Sequence, residues 1–192
     1  MKNLSKIYTE FLKTSKVYKE VLRIVKLNNK NRHWLIGGFV YRNLINLLYG
    51  TTLKKDMDID IDILIEDWPK KYKTIEGWKI QSNFYGNPKF VKSKQCLDLI
   101  PLKSLYHFKA QNLKPTVKNY LGCTRYSVES IVFDTKNKKI IGPIGIKSIF
   151  ERKIAINNLS SAKLSSNNRK TPIKKLLSEK AKSLDFKVVK KI

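Results

Sequence analysis

From Asp56 to Ile65 the chain alternates acid and hydrocarbon, with carboxylates at 56, 58, 60 and 62 and apolar side chains at 57, 59, 61, 63 and 65. A period of two belongs to β-structure, so the spacing predicts a strand with one acidic and one apolar face. Six of the fifteen Asp and Glu residues fall between Asp56 and Asp67, in a chain that carries 40 Lys and Arg and a formal net charge of +25. Crowding like charges on one face costs free energy through repulsion and desolvation, and divalent cations remove that cost. Side chains two residues apart point the same way, roughly 7 Å apart along a strand. Two of them can converge on a pair of Mg²⁺ ions about 4 Å apart, the arrangement used for in-line phosphoryl and nucleotidyl transfer. The competing reading is a solvated polar face on an edge strand.

What lies upstream favours the first reading. Trp34-Leu35-Ile36 predicts a short buried strand ending at Gly37-Gly38, and Phe39 to Tyr49 a helix with Val40, Leu44, Leu47 and Leu48 inward and Gly50 as its stop. A glycine pair between strand and helix lets backbone N–H groups and a helix N-terminus approach phosphate. Alone it is more often a tight turn; followed by a helix and an Asp-x-Asp strand it is more specific.

The remaining segments fall into place around this unit. Ser5 to Leu27 reads as one helix, stopped by Asn28, Asn29 and Asn31. Trp78–Phe84 and Lys89–Val91 predict a hairpin around Gly86-Asn87-Pro88, and Leu97–Leu102, Ser130–Phe133 and Lys139–Ile141 three more strands. The expected organisation is an N-terminal helix (1–30), a globular domain (31–158) and a basic tail (159–192), extended or partly helical with little core of its own. From Ser160 onward ten Lys or Arg face two acids.

So large a positive charge favours nucleic acid or another polyanion as partner. In the tail, Lys163, Arg169, Lys170, Lys174 and Lys175 are expected to track an RNA backbone without reading sequence. No apolar run approaches the roughly 18 residues of a membrane span, and the first residues form no secretory core. An intracellular protein is expected, of the cytoplasm or of an organellar matrix. Cys96 and Cys123 lack metal-ligand spacing and read as reduced thiols; His33 and His107 read as strand-edge and helix-face residues.

On these residues the chain resembles a known family. Trp34-Leu35-Ile36-Gly37-Gly38-Phe39-Val40, then Lys55-Asp56-Met57-Asp58-Ile59, is similar to the head (catalytic) domain of CCA-adding enzymes and bacterial poly(A) polymerases. That family shows a Gly-Gly-x-Val-Arg-Asp helix followed by a Lys-Asp-x-Asp strand. Arg125-Tyr126-Ser127-Val128-Glu129-Ser130-Ile131-Val132-Phe133-Asp134 resembles a loose form of its Arg-Arg-Asp-Phe-Thr-Ile-Asn-Ala motif, and Ile140 to Gly145 its next turn. The likeness covers roughly residues 33 to 156. Tyr41 stands where the first-helix Arg belongs, with Arg42 one place later; Cys123-Thr124-Arg125 replaces the Arg-Arg-Asp triplet, and Glu129 the Asn.

The resemblance implies an α+β, polymerase beta-like nucleotidyltransferase fold, a mixed sheet flanked by helices. It implies that Asp56 and Asp58 hold Mg²⁺, with Asp98 as a third carboxylate unless that residue only caps its strand. Asp60 and Asp62 face the same side, so a metal pair of Asp58 and Asp60 stays open beside Asp56 and Asp58. Gly37 and Gly38 would cradle the phosphates of an NTP. Arg42 and Arg125 would contact phosphate or ribose, against the alternative of ordinary surface arginines. The family's neck and body domains find no counterpart in 192 residues. Two functions follow. One is a Mg²⁺-dependent, template-independent transfer of NMP to an RNA 3′ end or other hydroxyl. The other is a catalytically inactive, RNA-binding component of a ribonucleoprotein such as an organellar ribosome; in either case a protein or ribonucleoprotein partner could supply the missing domains.

Overall fold

Strand alternation sorts the apolar residues onto two faces of one sheet. The computed structural model describes residues 3–51, 59–66, 71–83 and 85–192. Within them run β1 (His33–Ile36), β2 (Ile59–Ile65), β3 (Lys79–Ser82), β4 (Pro88–Lys92), β5 (Gln95–Pro101), β6 (Val132–Asp134) and β7 (Lys139–Ile141). They form a mixed sheet ordered β3-β4-β5-β2-β1-β6-β7. β2 and β5 are parallel, and the other pairings are antiparallel. Leu35, Ile61, Ile63, Ile65, Leu97 and Leu99 point to one face, where they join the main core. Trp34, Ile36, Leu64 and Val132 point to the other and close a smaller cluster with Leu102, Phe108 and Cys123. The acids of β2 share the second face, so the strand is acidic only where that smaller core ends.

Helices cover both faces. α1 (Leu4–Thr14), α2 (Lys16–Asn28), α3 (Gly37–Tyr49), α6 (Pro143–Glu151) and α8 (Ile173–Leu184) contribute to the main core. α4 (Tyr106–Ala110) and α5 (Val117–Cys123) serve the smaller one, and α7 (Leu159–Arg169) packs beside α8. The architecture is α+β, as expected.

Three expectations need correction. The N-terminal segment is two helices. Ser15 has an extended backbone, its N–H donates to the Phe11 carbonyl, and its hydroxyl accepts from Tyr18 N–H, so one serine ends α1 and caps α2. α3 begins at Gly37, two residues early, and buries Val40, Tyr41, Leu44 and Ile45 while Leu47 is exposed. The segment 159–192 is folded into α7 and α8, where an extended or partly helical tail with little core of its own was expected. Leu176, Leu177, Ala181 and Leu184 form a buried stripe on α8, and Phe186 follows them into the core. Each large apolar side chain buried this way is worth roughly 1.5–3 kcal/mol, enough to hold a lysine-rich helix against the core. A short parallel pair, β8 (Lys153–Ile154) with β9 (Lys187–Val188), ties its end down.

Candidate active site

Register brings the acids to the glycine turn. Ile36, the last residue of β1, pairs with Asp62, and in the parallel pairing Asp62 stands beside Asp98. The carboxylates of Asp60, Asp62 and Asp98 offer oxygens that lie within 4.8 Å of one another. Asp56 and Asp58 lie outside the described residues. The acids seen to gather with Asp98 are therefore the next two on the same face.

Each of the three sits in a different environment. Asp60 is exposed. Asp62 keeps some accessible surface, yet protein walls in its carboxylate. Burial, followed by the charges of Asp60 and Asp98, pushes its pKa up to about 7. Asp98 is buried, which raises its pKa, while hydrogen bonds and charge pull the other way: Asn83 Nδ2 donates to its Oδ1 at 3.0 Å, and Lys89 Nζ lies 3.6 Å from its Oδ2. The same ammonium lies 3.8 Å from Asp60 Oδ1. Burial opposes the charge on Lys89, but Asp98 and Asp60 outweigh it and hold its pKa above the ordinary value. A raised carboxylate pKa marks a site that gains from a cation. Oxygens this close fit one or two small hard ions after modest side-chain rotation, so the donor set suits Mg²⁺.

Gly37 is in contact with this cluster. Its φ is +67°, and a Cβ placed there would fall 2.6 Å from Asp62 Oδ2. Only a residue without a side chain lets the turn close over the acid. Gly37→Ala is thus expected to destabilise the protein by about 1–3 kcal/mol and to weaken cation binding further, by moving Asp62. Urea unfolding and Mg²⁺ titration of the same variant check both; unchanged Mg²⁺ affinity would refute the contact's role.

Past the turn, α3 starts with no side-chain cap, leaving N–H groups at its first turn open to an anion. Arg42 curls back over this end, its Cζ 3.5 Å from where a Gly38 Cβ would be. It lines a polar cleft of about 280 Å³ together with Arg125, Arg169, Lys180 and Glu129. Arg125 is not an idle surface arginine. Its Nε and Nη2 donate to the two Glu129 oxygens at 3.2 and 2.9 Å, its Nη1 to Ser165 Oγ at 3.1 Å, and its guanidinium lies over the Tyr126 ring. Lys180 Nζ lies 3.8 Å from Glu129 Oε1 and over the Tyr41 ring.

The structure therefore brings Arg42 against Gly38 of the glycine turn, Arg125 into the same cleft as Arg42, and Asp98 to the acids. Of the tail residues, Arg169 joins the cleft, while Lys163, Lys170, Lys174 and Lys175 are exposed on α7, α8 and the turn between them. Sequence reading missed Lys89, Asn83, Glu129 and Lys180. Lys89 reaches the acids through the β4–β5 pairing, which sets it opposite Asp98; the predicted hairpin around Gly86 pairs β3 with β4 and did not reveal it. Tyr106 is exposed, whereas Phe108 is buried and Tyr120 packs against the smaller core. Cys123 is a buried thiol and Cys96 a half-buried one. Among the described residues, no helix is long and apolar enough to cross a membrane.

Neither a protein-family model nor a curated protein matches the sequence. Solved structures do match. A CCA-adding enzyme in complex with ATP aligns with a TM-score of 0.56 at 18% identity, over 96% of this chain and 39% of that one. A tRNA-processing enzyme in an apo form gives 0.54 at 15%, over 96% and 44%. A tRNA-processing enzyme with CTP gives 0.51 at 15%, over 82% and 40%. The chain thus spans less than half the length of these proteins, and it shares their polymerase beta-like nucleotidyltransferase fold.

Proposed function

We propose that the protein is a metal-dependent nucleotidyltransferase that adds a nucleoside monophosphate from an NTP to an RNA 3′ end. The observation that carries this reading is the meeting of Asp60, Asp62 and Asp98 beneath Gly37, at the open start of α3. Asp60, Asp62 and Asp98 would hold Mg²⁺, which supplies charge neutralisation at the phosphates and a more acidic attacking hydroxyl. The chain's own groups do the rest. N–H groups of the Gly37-Gly38 turn and the Arg42 guanidinium bind and orient the triphosphate. Lys89 balances the carboxylates while no substrate is bound, keeping Asp98 and Asp60 from repelling each other. Exposed Lys163, Lys170, Lys174 and Lys175 supply phosphate contacts for the acceptor strand.

The tight pairing of Arg125 with Glu129 favours a second reading, a fold kept for RNA association after loss of turnover. One assay separates them. Purified protein is incubated with a short RNA, MgCl₂ and each labelled NTP in turn, beside an Asp60→Asn/Asp62→Asn variant. Incorporation by the wild type alone supports the enzyme. No incorporation with any NTP, or equal incorporation by both proteins, rejects it.

A further inference from the structure

The other end of the same central strands opens into a second concavity that the proposed activity does not use. The acids stand opposite Ile36 at one end of β1, whereas His33 at its other end lines a groove of about 860 Å³ beneath α1 and α2. Three residues of strand separate the two ends, roughly 10 Å. The groove's floor is apolar, built from Leu12, Leu22 and the edges of Tyr18 and Phe133. Its rim carries Lys19, Lys26, Lys30, Lys136 and Lys138, all exposed, and among the described residues none has a carboxylate within ion-pair distance. Lys13 and Arg32, also on the rim, are already bound to Glu10 and Asp134. Glu66 is the acid among the lining residues.

One lining side chain is incomplete. His33 Nδ1 lies 3.5 Å from the Asn31 carbonyl, while Nε2 is buried with no hydrogen-bond partner among the described residues. A carbonyl only accepts, so Nδ1 carries the proton and Nε2 remains an acceptor. Burial also pushes the His33 pKa down, which keeps the ring neutral. A buried acceptor left unpaired costs about 1–3 kcal/mol, and a ligand that brings a donor recovers it.

We propose that this groove docks an acidic amphipathic helix of a partner protein. The helix lays an aliphatic face on half-buried Leu22 and the hydrocarbon stems of the rim lysines, sets carboxylates against their ammonium groups, and presents one hydroxyl or amide donor to His33 Nε2. Charge complementarity selects this occupant. A second copy of the chain would bring its own charge of +25 against the same sign. RNA would match the lysines, but the two aromatic rings in the floor are closed to it: Tyr18 is 9% exposed and Phe133 2%. Bases would find no face on which to stack. An aliphatic floor between cationic walls suits leucines flanked by glutamates.

The test uses the full chain and three fluorescent probes at near-physiological salt. The first is a peptide of about eighteen residues with leucines at i, i+3, i+4 and i+7, one central serine, and glutamates elsewhere. The second scrambles the same composition so that the leucines share no face. The third is oligo(U) of similar length. The expected result is binding of the patterned peptide at least about tenfold tighter than of the scrambled one. Lys26→Glu/Lys30→Glu, two exposed positions that leave the core untouched, should weaken it by about tenfold or more. Leu22→Ala should weaken the peptide several-fold and leave oligo(U) unchanged. Equal affinity for patterned and scrambled peptides overturns the proposal, as does patterned-peptide binding that survives the charge reversal. Leu22→Ala weakening oligo(U) as much as peptide would also overturn it, and would make the groove a nucleic-acid site. The transfer assay is read separately, so loss of one conclusion leaves the other standing.

Discussion

Asp62→Asn is expected to lower nucleotidyl transfer by at least about a thousandfold and, at the same time, to stabilise the metal-free protein above neutral pH. The two effects have one cause. Asp62 is walled in between two other acids, so its proton is held until about pH 7, well above the ordinary carboxylate value of 3.8. The folded state therefore binds a proton that the unfolded chain has already lost between pH about 4 and 7. Stability is fully present below pH 4 and falls as pH rises through 7, by an amount on the order of 2–4 kcal/mol. Asp98, raised for the same first reason, pushes in the same direction. Asparagine at 62 has no charge to lose water and no proton to lose, so its stability profile should be flatter across that window. Mg²⁺ reverses the comparison. Cation binding needs the ionised carboxylate, so MgCl₂ should stabilise the wild type more at pH 8 than at pH 6, and the variant little at either. Denaturant unfolding at pH 5, 6, 7 and 8 with and without MgCl₂ reads all four quantities. Parallel pH profiles for the two proteins would mean that Asp62 is not held protonated by burial, and full activity in the variant would remove it from the site.

How far sequence led depends on the range of the physics involved. The strand, glycine turn and helix from Trp34 to Tyr49, the hairpin around Gly86, and the β6–β7 pair were legible because period and turn chemistry are local. The choice among four aspartates was not. Alternation by two gives 56, 58, 60 and 62 the same pattern in sequence. The pairing of Ile36 with Asp62, 26 positions on, brings Asp60 and Asp62 to the glycine turn, while Asp56 and Asp58 lie outside the described residues. The same holds for Asp98, whose partners Asn83 and Lys89 arrive through the sheet. Composition misled at the C-terminal segment. Ten basic residues after Ser160 hid a stripe at 176, 177, 181 and 184 that has helical spacing and reaches the core. The break at Ser15 was hidden for the opposite reason: apolar residues continue on both sides, and a single serine cap decides the geometry. Glu129, read as a departure from a familiar motif, turns out to be what holds Arg125 in place.

Gly142→Ala is expected to cost the most stability of any single-methyl addition at a described glycine, about 3–5 kcal/mol, a large share of the roughly 5–15 kcal/mol that holds a domain together. Gly142 precedes α6 with φ at +126°, a conformation that side chains rarely adopt, and a Cβ there would lie 2.2 Å from the Ser130 carbonyl oxygen and 2.8 Å from Ile131 Cα. Both obstacles are backbone, so no rotamer change relieves them. The segment being pressed joins the Glu129 that grips Arg125 to β6, which lies against β1 and so behind the glycine turn. Gly145, one turn into α6, donates its N–H to the same Ser130 carbonyl at 3.2 Å, and a Cβ there would sit 2.5 Å from that oxygen. Its Ala variant should lose about 2–3 kcal/mol, from crowding alone. Gly122, inside α5, has nothing within 4 Å of the added carbon, so Gly122→Ala should gain up to about 1 kcal/mol through helix propensity. One methyl group at three sites thus has a predicted order and a change of sign, measurable by urea unfolding of the three variants side by side. A Gly142→Ala protein as stable as the wild type would show that the turn before α6 does not press on Ser130, and that the support behind Arg125 comes from elsewhere.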